Sequence, residues 1–143
     1  MDFPRFVLLL AFGTFAFFGI SFLVIPQTMA AVVDIHPAST TALSDVMAVY
    51  GGLEVAIALV LARYLTQKQR TAEGLWLAAV LFGGLGGGRL LGVLVHQPIS
   101  GVTFRVLTAE WFAAAGCAFA WWRHRRGAKP LQLAQAKPFA SQE

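Results

Sequence analysis

Residues 75–96 read LWLAAVLFGGLGGGRLLGVLVH, and the fold turns on how this stretch is understood. A helix rises 1.5 Å per residue, so about 20 apolar residues cross the ~30 Å hydrocarbon layer of a bilayer. Arg89 is the only formal charge in the stretch. Its eleven Leu, Val and Phe residues each favour insertion by roughly 0.3–0.6 kcal/mol, enough to offset the ~2.5–3.5 kcal/mol of one central Arg. The stretch is predicted to be a membrane-spanning helix whose guanidinium seeks a carboxylate on a neighbouring helix.

Three further apolar blocks lie on either side of it. Span one runs over about residues 6–25 and stops at Pro26; seven of the chain's twelve Phe fall between Phe3 and Phe22. Arg5 ahead of the run and Thr28-Met29-Ala30 after it are also features of a signal peptide. The run exceeds the 7–15 residues of a typical signal core, so it is read as a retained span. Span two covers about 42–65, with Thr41 or Ser44 as N-cap, and span four about 102–122. The links Thr66–Ala72 and Gln97–Gly101 are short, which favours antiparallel neighbours. The expectation is an all-α, four-transmembrane-helix antiparallel bundle in residues 1–122, with a basic, mobile cytoplasmic tail over 123–143.

Composition agrees. Of 143 residues, 57% are hydrophobic and 13% charged, against about 45–50% and 25% in soluble domains, and no room is left for a separate soluble domain. The net charge of +4 comes from basic residues beside apolar blocks, which points to lipid headgroups and away from nucleic acid. Arg5, Arg63, Lys68, Arg70, Arg123, Arg125, Arg126, Lys129 and Lys137 fall on one side, and Arg105 alone near the other. That bias predicts both termini inside, N-in/C-in. The single cysteine, Cys117, leaves no disulfide and no CxxC motif. No cofactor is implied.

The residues that carry chemistry are those out of place in hydrocarbon: Glu54 in span two, Arg89 in span three and Glu110 in span four. Counted from the outer boundary, Arg89 and Glu110 lie roughly 10 Å deep and Glu54 roughly 16 Å. A guanidinium holds a carboxylate through paired donors, so Glu110 is the first partner for Arg89. Glu54 is then left over: protonated, sharing the Arg, or holding something positive. Met47, Tyr50, Gly51 and Glu54 share a helical face at spacings of three, four and seven. Tyr50, Arg89, Glu110, His96 and Thr103 are expected to line a polar notch opening outward, with Asp45 and His96 at the outer rim. Asp34, His36, Asp45 and His96 have no metal-ligand spacing, and no metal site is expected. No serine sits in a GxSxG turn. The glycines at 83/87, 84/88 and 88/92 read either as helix-packing faces or as a locally unwound segment beside a site.

The Tyr50-Gly51-Gly52-Leu53-Glu54 stretch, the Gly88-Arg89-Leu90-Leu91-Gly92 stretch and Glu110 resemble a family of small bacterial membrane proteins. It is catalogued as domain of unknown function 4345 and is broadly similar to DoxX-type four-helix proteins. The resemblance covers about Phe6 to Trp122 and implies a four-helix bundle in a bacterial inner membrane; it implies no activity. Two functions remain open. One is an accessory or structural membrane protein, alone, in a homo-oligomer or beside a membrane subunit, with a buried Glu/Arg/Glu cluster. The other is a small proton- or cation-linked binding or transport component. A membrane enzyme acting on a lipid-like substrate is a third reading, with no catalytic residue to name.

Overall fold

The computed structural model describes residues 2–96 and 100–135, with side chains placed through residue 126. Helix α1 (Phe3–Val24) begins with a proline in its first turn and stops at Ile25, where Pro26 follows. Pro26 has no N–H to continue the ladder but suits the first turn of a new helix, and α2 (Pro26–Val32) starts there. Asp34 closes α2 in the left-handed region, φ 63°. Its N–H donates to the Ala31 carbonyl, and the Ile35 N–H donates to the Ala30 carbonyl at 2.8 Å. This is a Schellman closure, with Asp where glycine is usual. The Asp34 carboxylate meets His36 Nε2 at 3.3 Å.

Ser39 caps α3 (Thr40–Val46), its Oγ accepting from the Ala42 N–H at 3.1 Å. The cap therefore falls earlier than the expected Thr41 or Ser44, because Ser39 is the last extended residue before the helix. A π-helical turn, Met47–Gly52, then leads into α4 (Leu53–Thr66). After a 3₁₀ turn (Lys68–Arg70), α5 (Thr71–Val95) runs without a break through its glycines, so that segment is not unwound. Helix α6 (Gly101–Gln135) continues past the expected end near residue 122 into the basic tail. The Gln97-Pro98-Ile99 link and residues 136–143 of the expected tail lie outside the described residues.

One core draws on α1, α4, α5 and α6. Leu8, Ala11 and Phe15 meet Ala58 and Leu61, Leu75, Ala78 and Phe82, and Ala114, Cys117 and Ala120. The three-and-four spacing on each helix puts these residues on single stripes. Phe15 stacks on Phe82 with centroids 4.8 Å apart. Among the described residues, three helical segments are long and apolar enough to cross a membrane: Phe3–Val24, Thr40–Thr66 and Lys68–Val95. Helix α6 is not among them, since Arg105 and Glu110 dilute its apolar run. Outward-facing side chains include Val24 (71% exposed) and Phe112 (75%). So much exposed apolar surface suits contact with lipid.

Glycine placement departs from the sequence expectation. A Cβ on Gly83, Gly84, Gly87, Gly88 or Gly92 would meet nothing within 4 Å, whereas one on Gly86 would press against Trp111. Among the described residues, the spaced pairs on α5 thus do not bring helices together. Gly84→Ala and Gly88→Ala are each expected to raise stability by about 0.5–1 kcal/mol, because Ala restricts the unfolded chain more than Gly does. Melting of the detergent-solubilised variants tests this, and a drop in melting temperature would contradict it.

Arginines and aromatic rings gather where α1 begins, α4 meets α5 and α6 runs outward. An Arg5 Nη donates to the Leu65 carbonyl at 2.7 Å, serving the end of α4. Arg123 lies over Phe3 and Arg126 over Trp122, 5.4 and 3.8 Å from the ring centroids. Trp121 pairs with Trp76 at 5.1 Å, and Arg70 is ion-paired with Glu73. Cations over ring faces are favourable where solvent is partly excluded.

Candidate functional site

Helices α5 and α6 follow one another across a short link, so Arg89, two turns before the end of α5, and Glu110, in the third turn of α6, reach the same level. Arg89 Nε donates to Glu110 Oε2 at 3.0 Å and Nη2 donates to Oε1 at 2.9 Å. Both carboxylate oxygens are engaged, in the fork geometry that only arginine supplies. The Arg89 side chain is 28% exposed and that of Glu110 10%. Each charge is thereby compensated where neither has full access to solvent.

Glu54 is placed differently. It lies in the first turn of α4, just past the π-helical turn, and its Oε2 is buried with no hydrogen-bond partner among the described residues. A buried acceptor left unpaired costs about 1–3 kcal/mol, so the fold tolerates a deficit here. Close by, Tyr50 lies in the π-helical turn and stacks on Phe22, centroids 5.2 Å apart. Turns of this kind are rare and are frequent at functional sites.

These groups share a cavity of about 390 Å³, within the range of small-molecule pockets. Helix α1 contributes Thr14 and the rings of Phe15, Phe18 and Phe22, and the loop after α2 contributes Val33 and Ile35. Tyr50 and Glu54 line it from the π-helical turn and α4; Phe82, Leu85 and Arg89 from α5; Arg105, Val106, Ala109, Glu110 and Ala113 from α6. The wall is mostly apolar and aromatic, with a neutralised ion pair, one further carboxylate and one further guanidinium.

Tyr50, Glu54, Arg89 and Glu110, all singled out in the sequence, are brought together. His96 and Thr103, also expected in the notch, are not on the cavity wall. His96 follows the end of α5 at φ −123°, ψ 49°, so it leaves the helical register that would set it on one face with Arg89, seven residues earlier, and it is exposed. Thr103 turns to the start of α6, where its Oγ1 is 3.0 Å from Ser100 Oγ. Asp45 is exposed on α3 and lies off the cavity wall. Among the described residues, no three His, Cys, Asp or Glu side chains gather closely enough to hold a metal ion.

Sequence reasoning missed the α1 rings, the loop residues Val33 and Ile35, and the role of Arg105, which was read only as a charge near the rim. One signal was available: Phe15, Phe18 and Phe22 recur at spacings of three and four, the mark of one helical face. The family model described as Domain of unknown function (DUF4345) matches residues 3–129 of the chain. No curated protein and no solved structure matches it.

Proposed function

Because the chain belongs to the DUF4345 family of domains of unknown function, a description that assigns no activity, we propose a function from geometry: the protein holds a small amphiphilic molecule in the cavity between its helices, as a binding or transport component. The observation that carries this reading is the unpartnered, buried Glu54 oxygen on the wall of a cavity of about 390 Å³. A purely structural charge cluster has no need of either feature.

The setting we propose is a bacterial inner membrane, with a four-helix bundle broadly like DoxX-type proteins. Helix α6 is the fourth span, carrying Glu110 across under cover of Arg89. Both termini are cytoplasmic, which places the arginine-over-ring contacts of Arg123 and Arg126 at the inner boundary, where aromatic and basic residues are favoured. A fluorescent-protein fusion at the C-terminus should fluoresce, and alkaline phosphatase inserted after Ala38 should be active. The reverse pattern would overturn the orientation.

Dicyclohexylcarbodiimide tests the binding reading. This apolar reagent reaches carboxyl groups from the lipid phase and reacts with their protonated form. Glu54 should be modified in the folded protein, Glu110 should be spared by its bond to Arg89, and Ala113→Phe, which fills the cavity, should slow the modification of Glu54 at least several-fold. Mass spectrometry of the labelled peptides gives the readout. Modification of neither carboxyl, or of both at the same rate, would count against the proposal. The completeness of the Arg89–Glu110 pair favours a second reading, an accessory protein whose charges only fix helix register. That reading expects Glu54 to be as inert as Glu110.

A further inference from the structure

We infer that the cavity takes a lipophilic cation, with an amine or ammonium group at Glu54 and an apolar body against the aromatic wall. This inference rests on the binding reading above and narrows it to one chemical class.

Charge decides the sign of the ligand. Arg89 engages both oxygens of Glu110, so that pair offers a ligand little net charge. Glu54 keeps a buried oxygen free and is, among the described residues, the one carboxylate on the wall outside that pair. The rings around it supply the complementary field. Phe22 and Tyr50 stack beside the π-helical turn, and Phe15 and Phe82 stack across α1 and α5. Ring faces attract cations, ammonium groups above all, and more strongly where water is excluded.

Other ligand classes fit less well. A hard metal ion requires about six to eight oxygen ligands for calcium, or a near-octahedral set for magnesium, and the wall offers Glu54, Tyr50 and Thr14 as oxygen groups outside the ion pair. An anion would depend on Arg105, which is exposed. Arg105 also sits five residues nearer the start of α6 than Glu110, about 7.5 Å along the axis. The cavity wall also reaches the molecular surface at Phe18 and Leu85, 37% and 41% exposed. A hydrophobic cation dissolved among acyl chains has a path in at those residues.

The experiment compares benzyldimethylhexylammonium with its neutral isostere, in which carbon replaces the quaternary nitrogen. Binding is measured by equilibrium dialysis on the full chain in dodecyl maltoside. The cation should bind saturably, weaken at least tenfold in Glu54→Gln, and recover in part in Glu54→Asp. The isostere should bind more weakly and ignore the Glu54 substitutions. If cation and isostere bind alike, and both are displaced only by Ala113→Phe, the cation assignment is overturned while the cavity reading stands. If neither binds saturably to folded protein, both are overturned. Should Glu54→Gln not fold, the comparison of cation with isostere on the unaltered chain still decides the matter.

Discussion

Glu110→Gln is expected to destabilise the protein more than Arg89→Gln, although the two residues form one pair. Removing one partner of a buried pair costs about 3–5 kcal/mol when the other stays charged. Arginine cannot shed its charge inside a protein, so without Glu110 the Arg89 guanidinium is stranded among apolar neighbours. A carboxylate stranded by loss of Arg89 can take up a proton and become neutral, which caps the penalty. The charge swap Arg89→Glu with Glu110→Arg should recover part of the loss, because the two side chains still face each other across α5 and α6. Yield from membranes and thermal unfolding in detergent measure all three variants. Equal melting of the single variants and the parent would remove the pair from any account of the fold.

The second large effect is expected at Gly19. A Cβ there would stand 2.8 Å from the backbone nitrogen of Val55 and 3.1 Å from the Glu54 Cβ. Backbone cannot rotate out of the way, so Gly19→Ala must push α1 away from α4, at a cost of about 1–3 kcal/mol. At Gly51 the nearest atoms belong to the Leu23 side chain, at 2.7 and 2.8 Å. That side chain can turn, leaving the Leu23 backbone nitrogen at 3.3 Å, so Gly51→Ala should cost less. Since Glu54 is itself one of the groups displaced, Gly19→Ala should also alter carbodiimide modification of Glu54, which Gly84→Ala should leave as it is. Melting curves and labelling on the same preparations give both readouts. A Gly19→Ala protein as stable as Gly84→Ala would show that this contact sets nothing.

These predictions separate what was legible in the sequence from what was not. The matching depths of Arg89 and Glu110 could be counted along two apolar runs, since a helix has a fixed rise and a short link puts its neighbours side by side. The end of span one at Pro26 could be read from the missing proline N–H. No comparable signal distinguished Gly19 from Gly84. Both are glycines in apolar helices, and only the approach of α4 to α1 makes one of them indispensable to close packing. The closure of the chain after α2, which carries Val33 and Ile35 onto the cavity, hangs on a left-handed Asp34, a conformation that few sequences announce.

Sequence alone determined the long apolar runs as helical and the pairing of one Arg with one Glu, because rise per residue and the cost of an unpaired charge are local quantities; it determined neither α2 nor the division of span two by a π-helical turn. Only the tertiary structure decided which face of α1 looks inward, where the π-helical turn sets Tyr50, and that empty space remains beside Glu54. The physical reason is that acyl chains are as apolar as a protein core. The inner and outer faces of a Phe-rich helix then show no contrast in polarity, and a cavity is a property of the gaps between helices and of no single one.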